Sequence, residues 1–335
     1  MTRLLLLATG GTIAGRGADG ASLNTYTAGV LAGDELLDAV PSLQDLAEIR
    51  VEQVANVDSA DLLFQHWREL VRRIRLAFAS DPALAGVVIT HGTNTLEETA
   101  WLLQQLIDDP RPVVLVGAMR PATALSADGP LNLFQAVQVA CNPQARQRGV
   151  LAVMDGEIHA AAEVTKRATQ GVGAFISSAT GPLGWVDDAG VHWSSASASP
   201  PTPFATLELP ERWPQVAVLH GCVEPPAVVL PALLKAGIQG LVFTGTGAGQ
   251  LSVVERKALA AWPDTLPLML RANRCGSGPV YEDPEDERLG LLAAGSLNPQ
   301  KARVLLLLAV IAGWNRNDLS ALLGSAHQRD LGRVG

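Results

Sequence analysis

The chain has 335 residues, 48% of them hydrophobic, 17% charged and 4% aromatic, with 32 glycines and 21 prolines. At about 150 residues per domain, this length makes two domains, and so high an apolar share excludes a disordered chain. The 25 basic and 33 acidic residues leave a formal charge of −8, the wrong sign for gripping a phosphate backbone, so a nucleic-acid partner is not expected.

The first element is the apolar run 4–8 (LLLLA), which leads straight into a glycine-rich turn. A secretory core needs about 7–15 apolar residues, so the run reads as a buried first strand and the chain as a cytoplasmic protein. Further continuous apolar runs follow at 87–90 (VVIT), 113–116 (VVLV) and 150–154 (VLAVM). Continuous rather than alternating runs fit strands covered on both faces, as in parallel sheets. Helices separate them. Leu96, Ala100, Leu103 and Ile107 make one apolar stripe, with Thr95 as the expected cap and Glu98 reaching back to it. Pro130 suits the first turn of a helix over 131–140. This is a doubly wound α/β pattern.

At 189–203 the chain changes to AGVHWSSASASPPTP, rich in Ser and Pro and without Asp, Glu, Lys or Arg. Such a stretch reads as a linker. The βα alternation then resumes, with strands at 216–219, 240–244 and 269–271 and a helix near 227–236. A last apolar helix begins at Asn298-Pro299 and runs to 311, with Asn298 as its cap. The expected organisation is a larger N-terminal α/β domain (1–188), a linker (189–212) and a smaller α/β domain (213–335). The longest later apolar run, 304–312, is far below the ~18 residues needed to span a bilayer. Cys141, Cys222 and Cys275 show no CxxC spacing, so neither a disulfide framework nor a structural metal site is expected.

In open parallel sheets, ligands bind beyond the carboxyl ends of the strands. Two strand ends here carry the same kind of loop: Gly10-Gly11-Thr12 after the first, and Gly92-Thr93 after the run 87–90. Glycine lets the backbone approach a ligand and leaves a neighbouring hydroxyl uncovered. The glycines at 10, 11 and 15 do not form G-x-G-x-x-G, and no P-loop occurs, so a dinucleotide-dependent dehydrogenase lacks its fingerprint. HExxH and G-x-S-x-G are also absent. A threonine nucleophile would need a base that no serine-hydrolase template supplies.

The segments ATGGTIAG (8–15), ITHGTNTLEET (89–99), VGAMRP (116–121), SADGPLNL (126–133), VTKRATQ (164–170) and GSLNPQKARVLL (295–306) resemble the bacterial L-asparaginase/glutaminase family. The likeness extends over nearly the whole chain. It implies hydrolysis of the asparagine side-chain amide, without metal or organic cofactor, by a homotetramer of intimate dimers. It makes Thr12 the nucleophile of an acyl-enzyme, Tyr26 its hydrogen-bond partner, and Thr93 with Lys166 part of a Thr-Lys-Asp relay. The implied substrate-binding set is Gly11, Asp58, Ser59, Gly92, Thr93, Asn94 and Ala118. Ser59 would hold the α-carboxylate, and the backbone at Thr93 and Ala118 the oxyanion. The composition of 15–29 independently suits a flap over substrate, with Gly17 and Gly20 lacking apolar neighbours. Lys166 lies in a charge-poor segment, where partial burial would lower its pKa.

Three positions depart from the family. Asn94 stands where it has an aspartate that meets the substrate ammonium, Ala60 where many members have glutamine, and Ala248 where many have an asparagine reaching a neighbouring subunit. The acid that meets the ammonium across that interface falls at Glu282 or Asp283. A hydrogen bond to a charged group is worth ~1.5–3 kcal/mol, so Asn94 is expected to slow turnover, and Asn94→Asp to raise kcat/KM at least about tenfold. Three competing readings are a non-catalytic amide-binding protein, a glutaminase-asparaginase of broader specificity, and an amidotransferase acting on misacylated tRNA. The acidic charge opposes the last.

Overall fold

The computed structural model describes residues 1–21, 23, 25–194 and 202–331, in two compact units, Met1–Thr206 and Leu207–Gly335. Unit 1 opens with β1 (Thr2–Gly10), the short strands β2 (Arg16–Gly17) and β3 (Tyr26–Thr27), and helices α1 (Gly33–Asp38) and α2 (Leu43–Leu46). Next come β4 (Ala47–Val57), α3 (Phe64–Ser80), β5 (Leu84–Thr90), α4 (Leu96–Leu106), β6 (Val113–Val116), α5 (Gly129–Cys141) and β7 (Val150–Met154). The unit continues through β8 (Glu157–Ala160), β9 (Val164–Lys166), β10 (Phe175–Ser177), β11 (Gly184–Asp187) and β12 (Gly190–Trp193).

The main sheet has eight strands in the order β12-β11-β8-β7-β6-β5-β1-β4. Strands β7, β6, β5, β1 and β4 run parallel, while β8, β11 and β12 extend the sheet antiparallel. Of its parallel strands, β1, β5, β6 and β7 are buried on both faces, as the continuous runs require. Leu4, Leu6 and Ala8 share a core with Leu36, Leu43, Leu133 and Ala136 from α1, α2 and α5. Leu5, Leu7, Val87 and Ile89 are equally buried and, by the alternation of side chains along a strand, face the opposite side of the sheet. Each such side chain contributes about 1.5–3 kcal/mol, so the strand ends project from a rigid base.

The chain crosses from β1 to β4 on one side and then returns to place β5 on the other. The switch point therefore lies between the carboxyl ends of β1 and β5, where a doubly wound sheet opens its crevice. The loops with Thr12 and Thr93 leave these two strands.

Unit 2 runs β13 (Val216–His220), α6 (Val229–Lys235), β14 (Gly240–Gly245), α7 (Val253–Ala260), β15 (Leu268–Asn273), α8 (Pro284–Leu289), β16 (Leu291–Ala293), α9 (Pro299–Ile311) and α10 (Arg316–Leu331). Its four strands form a parallel sheet in sequence order. Asn298 caps α9 as expected, its side chain accepting from Lys301 N–H at 2.9 Å. Inside this unit Arg271 and Asp286 form a buried bidentate pair, at 2.9 and 2.6 Å. The same guanidinium donates to the carbonyls of Ala248 and Tyr281.

Two sequence expectations change. The stretch from 189 does not begin as linker: Gly190–Trp193 is an edge strand hairpinned to β11, and the units divide between Thr206 and Leu207. Its serines and prolines obscured a short strand that pairs on one side only; 195–201 lie outside the described residues. At α4, the Thr95 hydroxyl does not cap the helix but donates to the Ser59 carbonyl at 2.9 Å. Among the described residues the three cysteines are free, no group of His, Cys, Asp and Glu could hold a metal ion, and no helix is long and apolar enough to cross a membrane.

Candidate active site

The loop after β1 is shaped by backbone contact. Gly10 and Gly11 have φ of 99° and 82°, the left-handed region that favours glycine. A Cβ on Gly11 would overlap the backbone of Gly92, and one on Gly92 would overlap the Ser59 side chain. The loops after β1 and β5 and the turn at Ser59 thus touch through positions that tolerate no side chain. Thr12 starts a single 3-10 turn, Thr12–Ala14, and is 5% exposed. Its Oγ1 lies 2.7 Å from the Tyr26 hydroxyl.

Tyr26 reaches Thr12 because the 15–29 segment folds back. Strands β2 and β3 pair antiparallel, and Gly29 N–H donates to the Gly11 carbonyl. Gly17 N–H donates to Thr123 Oγ1 at 2.8 Å, and Leu125 N–H to the Gly20 carbonyl. The segment lies down along the Thr123–Leu125 loop, with Tyr26 against Thr12; residues 22 and 24 lie outside the described residues.

On the neighbouring loop, Lys166 Nζ donates to Thr93 Oγ1 at 2.7 Å and to Asn94 Oδ1 at 3.1 Å. Thr93 is 4% exposed. Burial lowers the Lys166 pKa, and the negative charge of Asp58 partly offsets that. Asn94 also donates from its backbone N–H to Ser59 Oγ (3.1 Å) and from Nδ2 to Asp58 Oδ1 (3.0 Å). Asp58, at the head of the 3-10 turn Ser59–Asp61, accepts from Ala60 N–H through the same Oδ1.

Ala118 is fully buried on the loop after β6. That loop is clamped from the start of α5. Asp128 accepts the N–H groups of Met119 and Arg120 at 2.8 and 2.9 Å, and Asn132 donates to the Gly117 carbonyl at 3.0 Å.

The sequence-named residues therefore fall into two linked groups, Gly11-Thr12-Tyr26 and Asp58-Ser59-Gly92-Thr93-Asn94-Lys166. Ala118 stands on the next strand end. Ala248, Glu282 and Asp283 lie in unit 2. There Asp283 is engaged as the cap of α8, accepting from Glu285 N–H at 2.9 Å, whereas Glu282 is exposed.

Sequence reasoning missed several supports. Asp128 and Asn132 lie inside SADGPLNL (126–133), where an Asp directly before Gly-Pro at a helix start is the available signal; the Asp128 side chain does not cap α5 but serves the loop after β6. Buried Glu97 accepts the Thr165 hydroxyl at 2.8 Å and so ties the residue before Lys166 to α4. Beneath Thr93, His91 is fully buried between the Gly92 carbonyl and Thr99, and Trp67 donates to the same Thr99 hydroxyl. Desolvation lowers the His91 pKa to about 4.

Comparison with known proteins matches the chain to one family. The family model "Asparaginase, N-terminal" matches residues 3–199, and "Glutaminase/Asparaginase C-terminal domain" matches 215–323. The chain belongs to the asparaginase family. It is 40% identical over 315 residues to a probable periplasmic L-asparaginase of Haemophilus influenzae, covering 92% of this chain and 89% of that one. It is 40% identical over 317 residues to L-asparaginase 2 of Escherichia coli, with the same two coverages. The crystal structure of a probable cytoplasmic L-asparaginase from Campylobacter jejuni superposes with a TM-score of 0.89 at 37% identity, covering 96% of this chain and 99% of that one. Both halves of the family's organisation are thus present in one chain.

Proposed function

We propose that this chain hydrolyses L-asparagine to L-aspartate and ammonia through an ester on Thr12. The observation that carries the reading is the pair of buried threonines flanking the switch point, each with its own hydrogen-bond partner, Tyr26 for Thr12 and Lys166 for Thr93. Thr12 Oγ1 attacks the side-chain amide carbon, and the nitrogen departs as ammonia carrying the threonine proton. Water then cleaves the ester and returns the hydroxyl to Thr12. Lys166, its pKa lowered by burial, accepts a proton through Thr93 in its neutral form, and the Thr93 and Ala118 backbone N–H groups face the oxyanion. Ser59 takes the substrate α-carboxylate. No metal or organic cofactor enters this scheme.

The same reading has the chain act as a homotetramer of intimate dimers, a neighbour's second unit completing each site. Between the two acids considered for that role, Glu282 is favoured, because Asp283 is committed to capping α8. A cytoplasmic location is part of the same proposal; the Campylobacter jejuni relative is named cytoplasmic and the Haemophilus influenzae relative periplasmic. Glutamine is the broader-specificity alternative, since one methylene is worth only about 1–3 kcal/mol of discrimination.

The test is steady-state ammonia release from asparagine and glutamine by the wild type and Thr12→Ala. Turnover of asparagine that Thr12→Ala reduces by at least about 1,000-fold is expected of an activated nucleophile. Undiminished turnover in Thr12→Ala would remove Thr12 from the chemistry, and no turnover in the wild type would leave an amide-binding protein.

A further inference from the structure

Position 94 carries no charge, yet its side chain joins two charged groups. Asn94 Oδ1 faces the Lys166 ammonium at 3.1 Å, and Asn94 Nδ2 faces Asp58 Oδ1 at 3.0 Å. The reverse amide orientation would set oxygen against oxygen and NH2 against ammonium, so these neighbours lock the side chain. The side chains of Thr12, Tyr26, Ser59, Thr93, Asn94 and Lys166 include no carboxylate, so this cluster alone offers the ammonium of an amino-acid substrate no anionic acceptor. Asp58 is the carboxylate hydrogen-bonded to it. Glu97, on α4, is buried and accepts from Thr165 instead. Asp58 spends Oδ1 on Asn94 and Ala60, while no hydrogen bond among the described residues reaches Oδ2.

We propose that Asp58, acting with Asn94, supplies the negative charge that unit 1 itself brings to this site. Through the Asn94 amide it positions Lys166 beneath Thr93, and its Oδ2 accepts the α-ammonium of the substrate. The missing carboxylate at 94 is thereby replaced from 36 residues earlier in the chain, and the pair Asp58-Asn94 is the specificity determinant for an α-amino acid over a deaminated amide. The Coulombic influence of Asp58 on Lys166 acts in the same direction. This rests on the asparagine-hydrolysis reading above and alters the outcome expected for Asn94→Asp. An aspartate there would set a second carboxylate about 3 Å from Asp58, where two such groups cannot both ionise at ordinary cost.

A charge-relocation cycle tests this. Asp58→Asn keeps the acceptor for Ala60 N–H and removes only the charge, so kcat/KM for asparagine should fall roughly 10- to 100-fold, the worth of a hydrogen bond to a charged group. It should fall less for succinamate, which is asparagine without its α-amino group. Asn94→Asp alone should gain less than about threefold or lose activity, because of the carboxylate pair. The double variant Asp58→Asn/Asn94→Asp should return to within about threefold of wild type, a non-additivity that marks direct coupling. A gain of about tenfold or more from Asn94→Asp alone, an unchanged Asp58→Asn, or a double variant no better than Asp58→Asn would each overturn the proposal. Asparagine affinities for the same variants in a Thr12→Ala background need no turnover. If affinity follows the cycle there while the wild type releases no ammonia, the hydrolysis reading fails and the charge assignment stands.

Discussion

Tyr26 and Lys166 each hold one threonine hydroxyl at 2.7 Å, but their losses should look different. Tyr26→Phe removes one hydrogen bond and leaves the ring, so kcat should drop by roughly tenfold with KM little changed. Lys166→Arg keeps a cation, yet an arginine cannot deprotonate and become a base. Its kcat should fall by about 10²–10⁴, and the acidic limb of the pH profile, which reports Lys166 losing its proton, should disappear. His91 carries a different pH signature. Its folded pKa lies near 4 against an ordinary 6.5, so between these values the unfolded chain binds the proton first. The stabilisation is complete above pH 6.5, is lost as pH falls toward 4, and amounts to about 3 kcal/mol across that window. Urea unfolding of unit 1 at pH 7 and 5 should show the drop in the wild type and a drop smaller by about 2 kcal/mol in His91→Gln. Equal drops would mean that His91 does not titrate as its burial requires.

Among the elements, what the sequence disclosed depended on whether a strand is buried on both sides. The runs at 113–116 and 150–154 are strands with those bounds, and the run 4–8 is the middle of β1. Strand β4 escaped notice because it is an edge strand whose Glu48, Arg50 and Glu52 interrupt any apolar run. The hairpins from β8 to β12 are two to four pairs long and carry little periodicity. The site shows the same division. Thr12 and Thr93 are marked by their glycine loops, and Lys166 by the resemblance. The Asp58-Asn94 and Glu97-Thr165 bonds join positions far apart in the chain and become visible only once the strands are ordered. The loop after β6 offers a test at this scale. Asp128→Ala would strand the Met119 and Arg120 N–H groups, each costing about 1–3 kcal/mol if left unpaired. It should lower the thermal midpoint and reduce kcat more than it raises KM, with Asp128→Asn intermediate because one acceptor remains. A kcat unchanged in Asp128→Ala would detach Ala118 from oxyanion binding.

At the scale of the molecule, each unit has its own sheet and core, so stability and chemistry can be separated. Thr12, Thr93 and Lys166 all belong to unit 1, while unit 2 holds a buried charge pair, Arg271-Asp286, whose side chains are only 4% and 9% exposed. Two charges taken out of water are held there by bidentate geometry and by the carbonyls of Ala248 and Tyr281. Removing one partner leaves the other buried and unpaired, at a cost of about 3–5 kcal/mol. Asp286→Ala should therefore bring forward a calorimetric transition belonging to unit 2 while unit 1 keeps its own. Activity then reports on the assembly. If a neighbour's second unit completes each site, ammonia release should collapse with the first transition, at a temperature where circular dichroism still shows unit 1 folded. If unit 1 suffices, activity should persist to the second transition. Activity surviving the loss of unit 2 would refute the shared site and with it the role given to Glu282, while leaving Thr12, Lys166 and the Asp58-Asn94 pair untouched.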